Sequence, residues 1–240
     1  MGDSLLRLEA TDIYAGYGKI EVLHGASVRA AAGEIVCIIG PNGSGKSTLL
    51  KTVFGLIKPT RGTVRFDGKD ITRLDPEQKA PLGIAFIPQG RNVFPSLTVR
   101  ENLEMGGAVL DSEKAVRLAI EEALEAYPLL RRKIRDRAGN LSGGERQILS
   151  LARADMVKPG LILMDEPSIG LSPKMIDEVY LKIAEINRRG ATFAIVEQNA
   201  RKALSIAHRG YVLDLGQTRL EDTGAGLLDN EEVKKLYLGG

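Results

Sequence analysis

Nine residues, Gly40-Pro41-Asn42-Gly43-Ser44-Gly45-Lys46-Ser47-Thr48, combine glycines, a lysine and adjacent hydroxyls in an order that suits a polyphosphate. The glycines let the backbone curl until successive N–H groups point inward, and a helix start just beyond adds its partial positive charge. Lys46 is placed to reach β- and γ-phosphates. Ser47 is placed to offer its hydroxyl to a Mg²⁺ ion between the last two phosphates, and Thr48 is the next hydroxyl along. A glycine-rich turn that merely caps a helix would have a similar composition. The context favours binding, because the apolar run Ile35-Val36-Cys37-Ile38-Ile39 precedes the loop and the helix-like Leu49 to Phe54 follows it.

A second chemical pair ends another apolar run: Leu161-Ile162-Leu163-Met164 delivers Asp165 and Glu166 to a strand's carboxyl end. Beside a phosphate loop, the aspartate of such a pair supports Mg²⁺, directly or through water. Glu166 is then free to polarise the water that attacks the γ-phosphate. Leu141-Ser142-Gly143-Gly144-Glu145 places a hydroxyl and two glycines at the opening of an amphipathic stretch reaching Val157, a second helix N-terminus suited to an anion. Gln89 lies just past the strand Ile84-Ala85-Phe86-Ile87-Pro88, where ligands bind in open α/β sheets. Tyr17, between Gly16 and Gly18, suits either stacking on a base or ordinary packing in a loop.

Strands and helices alternate around these groups. Short apolar strands are expected at 5–10, 15–18, 20–23 and 26–29, forming an antiparallel edge, with a further strand at 62–68. Residues 90 to about 157 have helical periodicity instead, with Leu118, Ala119, Glu122, Ala123 and Ala126 recurring at helical spacing. A helix at 173–189, a strand at 192–196, a polar turn at Glu197-Gln198-Asn199, a helix at 200–207 and strands around 211–213 and 218–220 complete the pattern. The expected fold is therefore α/β: a P-loop NTPase (RecA-like) core with an antiparallel β edge and an inserted α-helical subdomain. One domain spans 1–240, with the core at 1–89 and 158–240 and the helical subdomain at about 90–157.

Composition narrows the function further. A 240-residue chain that is 43% hydrophobic and 27% charged fits an ordinary water-soluble domain. A formal charge of +2 does not describe a general nucleic-acid-binding surface. The basic run Arg131 to Arg137, interrupted by Asp136, reads as a solvated helix face. With one cysteine, Cys37, there is no disulfide framework, and its place inside an apolar run makes it a small buried thiol. His24 reads as a strand residue and His208 as a helix C-terminal cap. Residues 1–7 carry no secretory signal pattern, and no stretch reaches the roughly 20 apolar residues of a membrane span. Work at a membrane would require another chain to hold this one there.

Taken in order, Gly40 to Thr48, Gln89, Leu141 to Glu145, Leu161 to Glu166 and Gln198 resemble the ATP-binding-cassette (ABC) transporter ATPases over nearly the whole chain. The Leu-Ser-Gly-Gly signature is the most specific element. Closer stretches, Pro88 to Pro95, Glu166 to Leu171, Val196 to Ala200 and Tyr237 to Gly240, resemble the ATPase subunits of branched-chain amino-acid importers, with urea or short-chain amide importers as the alternative. The resemblance implies ATP and Mg²⁺ as cofactors, with Tyr17 stacked on adenine. It implies Ser47, Gln89 and Asp165 around the metal, Glu166 as catalytic base and Gln198 at the γ-phosphate. Gln89 would also couple the site to a transmembrane partner. Leu141 to Glu145 would act in trans on a second ATPase subunit, different from this one. The implied assembly adds two permeases and a periplasmic or lipid-anchored binding protein at the cytoplasmic face of the cell membrane, with no nucleic acid. Two departures stand out: Gln198 replaces the usual switch histidine, and Ser172 replaces an aspartate. Glutamine can hydrogen-bond a phosphate but cannot carry a protonated histidine's charge.

Overall fold

The structure is a computed structural model that describes residues 6–90 and 92–237. Readings that fall on Met1 to Leu5, on Arg91 and on Leu238-Gly239-Gly240 lie outside the described residues. The strands are β1 (Leu6–Tyr17), β2 (Ile20–Ala31), β3 (Ile35–Ile39), β4 (Arg61–Phe66), β5 (Lys69–Asp70), β6 (Ile84–Ile87), β7 (Leu161–Asp165), β8 (Thr192–Val196), β9 (Arg209–Asp214) and β10 (Gln217–Thr223). The helices are α1 (Lys46–Phe54), α2 (Pro76–Lys79), α3 (Val99–Gly106), α4 (Glu113–Ala126), α5 (Pro128–Arg132), α6 (Gly143–Asp155), α7 (Pro173–Arg188), α8 (Ala200–Ile206), α9 (Gly224–Asp229) and α10 (Glu231–Tyr237).

A six-stranded sheet in the order β10-β9-β3-β8-β7-β6 forms the centre. All of it is parallel except the edge pair β9–β10. Strands β3, β7 and β8 are buried along their whole length, which is why each reads as a continuous apolar run. Alternate residues feed two cores. Cys37, Ile39, Met164 and Phe193 face one side, while Val36, Ile38, Leu163 and Ala194 face the side that holds Leu49, Leu50 and Val53 of α1. Burial pushes the Cys37 thiol well above its ordinary value, so it stays a packing group.

Register decides where the chemistry falls. Ile38 and Asp165 both pair with Val196, so the carboxyl ends of β3, β7 and β8 stop side by side. The segments that follow them, 40–48, 166–171 and 197–199, therefore share one edge of the sheet.

The antiparallel strands form a sheet of their own, β2-β1-β4-β5. Four short strands were expected at 5–29; two twelve-residue strands are found instead. The two apparent breaks, at 11–14 and 24–25, are register shifts between Ala10 and Ile13 and between Ile13 and Tyr14, which bend a strand without ending its pairing. Gly16 meets a real steric demand, since a Cβ there would lie 1.9 Å from the Ile20 carbonyl oxygen.

Helices α3 to α6 lie between β6 and β7. In α4 the expected stripe is displaced: Leu118 is exposed, whereas Ala119, Ile120, Ala123 and Leu124 are buried. The face carrying Ile120 and Leu124 enters the core, so Glu122 is left on the solvent side, where it pairs with Lys158 at 2.8 Å. The basic run is only partly helical, because α5 ends at Arg132. His208 also differs from expectation. Its Nδ1 accepts the Ile35 N–H at 2.9 Å, fastening the start of β3, whereas a helix cap would donate to carbonyls.

Candidate active site

Helix α1 begins at Lys46, and its cap residue Gly45 is left-handed, with φ 100° and no side-chain cap. By contrast, α3, α4 and α6 are capped by Thr98, Ser112 and Ser142. The first-turn N–H groups of α1 thus have no side-chain partner, which leaves them for an anion. The loop is held from outside: the Gly216 N–H donates to the Ser44 carbonyl at 3.0 Å, and Gly40 packs so closely on the Leu213 carbonyl that a Cβ would lie 2.0 Å from it. Ser44 Oγ is buried without a hydrogen-bond partner, a polar atom oriented for something beyond the chain. Lys46 Nζ donates to the carbonyls of Gly40 at 2.8 Å and Pro41 at 2.9 Å. Burial lowers the pKa of this ammonium, against the opposing fields of Glu166, Asp165 and Glu197. An uncapped helix start, a buried cation and an orphaned hydroxyl together fit a phosphate chain.

The carboxylates lie opposite. Ser47 Oγ donates to Asp165 Oδ1 at 2.7 Å, joining the two groups expected around a divalent ion. Burial raises the Asp165 pKa, while the Ser47 bond, Lys51 and Lys46 pull it back. Among the described residues no group of three or more His, Cys, Asp or Glu could hold a metal alone. An ion here would depend on phosphate oxygens for its remaining ligands, the habit of Mg²⁺. Glu166 occupies a left-handed conformation, φ 49°, with its N–H donating to the Val196 carbonyl at 2.9 Å. This turn ends β7 and presents the carboxylate at the sheet edge, where Gln89 Nε2 donates to Glu166 Oε2 at 2.8 Å. Burial and the neighbouring Asp165 raise the Glu166 pKa, and Lys46 opposes them.

Glu197 is the residue that motif reading passed over. Its carboxylate is 1% exposed and accepts from the Ser168 N–H (2.8 Å), Ser168 Oγ (2.9 Å), the Gln198 N–H (3.0 Å) and the Asn199 N–H (3.1 Å). It binds the loop after Glu166 to the loop carrying Gln198. A charged residue directly after the apolar run Phe193 to Val196 was the available signal, since a buried carboxylate must collect donors. Gln198 shares a cleft of about 190 Å³ with Gly40, Pro41, Asn42, Ala200 and Leu236, so it faces the phosphate loop. Ser172 is exposed and precedes α7 without capping it.

Tyr17 is half exposed at the end of β1, next to the turn into β2. In the signature, Ser142 Oγ accepts the Glu145 N–H at 3.3 Å and Glu145 Oε2 accepts the Ser142 N–H at 2.8 Å, a reciprocal capping box. Gly144 packs on α7, where a Cβ would lie 2.5 Å from Met175 Cγ. Leu141 is buried, whereas Ser142 and Gly143 face solvent. Among the described residues no hydrogen bond links 141–145 to the phosphate loop.

Comparison with known proteins places this geometry in a family. The model of the ABC transporter family matches residues 23–169. The chain is 46% identical over 224 residues to the high-affinity branched-chain amino acid transport ATP-binding protein BraG of Pseudomonas aeruginosa, covering 93% of this chain and 96% of that one. It is 40% identical over 233 residues to the probable branched-chain amino acid transport ATP-binding protein LivF of Archaeoglobus fulgidus, covering 97% and 98%. A crystal structure of a nucleotide-free ATP-binding cassette from an ABC transporter superposes with a TM-score of 0.86 at 30% identity, covering 98% of this chain and all of that one. The chain belongs to the ABC transporter family, as an ATP-binding subunit with ATPase activity, and its RecA-like core with a helical subdomain is the fold of that family.

Proposed function

We propose that this chain drives import of branched-chain amino acids, as one of two ATPase subunits attached to the cytoplasmic face of a membrane transporter. The observation that carries this reading is the convergence of Lys46, the Ser47–Asp165 pair and the Gln89–Glu166 pair at one sheet edge. The relatives' names favour the cargo, and the amino acid itself would not touch this chain.

Magnesium-bound ATP, when present, supplies an electrophilic γ-phosphorus. Residues Gly40 to Thr48 bind its phosphates through backbone N–H groups, and Lys46 exchanges its two carbonyl partners for phosphate oxygens. Ser47, Asp165 and Gln89 are the residues that would hold the metal. Tyr17 stacks on the base. Glu166 takes the proton of the attacking water on a carboxylate oxygen, its basicity strengthened by burial and by Asp165. Gln198 hydrogen-bonds the γ-phosphate as a neutral group.

No described helix is long and apolar enough to cross a membrane. A groove of about 370 Å³ includes Phe86, Pro88, Phe94, Met105 and Val109 in its lining, and the last three are exposed aromatic or aliphatic side chains. This groove suits an apolar cytoplasmic segment of the permease, and Pro88 sets Gln89 at its margin. The cores at 1–89 and 158–240 and the helical subdomain at about 90–157 act as the two parts of the cassette. ATP is held between this chain's phosphate loop and the partner's signature, and the converse site uses Ser142 and Gly144 from here. A periplasmic or lipid-anchored binding protein delivers the cargo.

The test is uptake of labelled leucine and of labelled urea by the reconstituted transporter, with Ser142→Arg in this chain. Leucine uptake that Ser142→Arg abolishes, while ATP binding by the isolated chain persists, is the expected result. Urea uptake without leucine uptake would overturn the cargo, and full turnover in Ser142→Arg would overturn the shared site.

A further inference from the structure

The signature carries a carboxylate where it should meet a phosphate. Glu145 stands in the first turn of α6, three residues from Ser142, and its Oε2 is committed to the Ser142 N–H at 2.8 Å. Uncompensated, that charge would repel a triphosphate approaching Ser142 and Gly143. It is compensated from outside the motif: Lys133 Nζ pairs with Glu145 Oε1 at 2.7 Å, the two side chains being 34% and 16% exposed. Each carboxylate oxygen therefore has its own partner, one holding the helix start and one neutralising the charge. Ser142 Oγ accepts the Glu145 N–H, which leaves its proton free to donate outward.

Resting on the shared-site reading above, we propose that Lys133 is a positioning residue for the partner subunit's nucleotide: it cancels the Glu145 charge and so lets the Ser142 hydroxyl and the α6 N-terminus receive the γ-phosphate. Lys133 lies in the irregular segment after α5, twelve residues before Glu145 and outside any phosphate-binding motif. Its contribution is electrostatic. A unit charge roughly 6 Å from a phosphate, at an effective dielectric of about 40, changes affinity about tenfold. Salt should weaken the effect, because the pair is partly solvated and the screening length shrinks from about 10 Å at 0.1 M to about 3 Å at 1 M.

The experiment measures ATPase activity of the reconstituted transporter against ATP concentration for Lys133→Met, Glu145→Gln, the double variant and Ser142→Arg, at about 0.05 and 0.5 M salt. Lys133→Met should raise KM for ATP about tenfold at low salt and about threefold or less at high salt, with kcat within about twofold. The double variant should return KM to within about twofold of wild type, because glutamine still accepts the Ser142 N–H without bringing a charge. An unchanged KM in Lys133→Met, beside an inactive Ser142→Arg, would overturn the role of Lys133 alone. So would a double variant as impaired as Lys133→Met, or a loss confined to kcat. Normal turnover in Ser142→Arg would remove the shared site and this inference with it.

Discussion

Replacing Glu197 with glutamine removes one charge from a buried point where four donors meet. Oε1 receives one of them, the Ser168 N–H, and Oε2 receives the other three. A glutamine would keep its carbonyl oxygen toward the crowded side and turn its NH2 on the Ser168 N–H. One buried N–H then goes unpaired, at about 1–3 kcal/mol, and three charge-assisted bonds weaken to neutral ones. The sum is about 3 kcal/mol. For a chain of this size that lowers Tm by about 6–12 °C. Differential scanning calorimetry of the nucleotide-free protein reads this directly. Turnover should fall more than about tenfold, since a displacement of about 1 Å in Gln198 or the Glu166 loop is enough for such a loss. A Tm within about 1 °C of wild type with turnover within about twofold would refute the claim that Glu197 fastens the two loops.

Glu166→Gln should keep ATP binding and lose turnover, because an amide cannot take the water's proton. It should also stabilise the nucleotide-free protein at neutral pH. A folded pKa raised by burial and Asp165 gives stability that is present at low pH and lost as pH rises through it, so the difference in Tm from wild type should close on acidification. Lys79 offers a separate test: it is fully buried, donates to the Val53 carbonyl at 2.7 Å, and burial lowers its pKa to about 8. The unfolded chain binds the extra proton between about pH 8 and 10, so wild-type stability should rise across that window and Lys79→Met should lack the rise.

The phosphate loop was legible because its function needs fixed residue types at fixed spacing, and Ile35 to Ile39 because a strand covered on both faces cannot hide its apolar run. The pairing of Ser47 with Asp165 and of Gln89 with Glu166 was not legible. Those contacts span 118 and 77 residues and depend on the register of β3, β8 and β7. The β1 and β2 boundaries differ where bulges imitate turns, and Leu118 is exposed because Ile120 and Leu124 supply the larger apolar side chains on the face that enters the core. Glu197 reads as part of a polar turn and Lys133 as part of a solvated face, because the contact that gives each its place, with Ser168 for the first and Glu145 for the second, is made only in the fold.

Charge explains why each of those two residues matters, each at its own site. Lys46 is the cation buried at the phosphate loop, and Asp165, Glu166 and Glu197 all act on it. The last of these is fully occupied by donors from its own loops, so it adds field without offering a ligand site. A triphosphate entering this edge brings more negative charge, and Gln198, being neutral, returns none of what a protonated histidine could supply. The deficit falls on the metal and on the opposite wall of the site, which in the proposed assembly is a signature helix start contributed by another subunit. That wall works only if its helix N-terminus is left positive. In this chain the first turn of α6 carries Glu145, and its charge is cancelled by Lys133 rather than left to face the phosphate. Gln198 and Lys133 therefore act at different sites of the proposed assembly: the first leaves this chain's own site short of a charge that the partner's signature must supply, and the second keeps this chain's signature helix start positive for the partner's nucleotide.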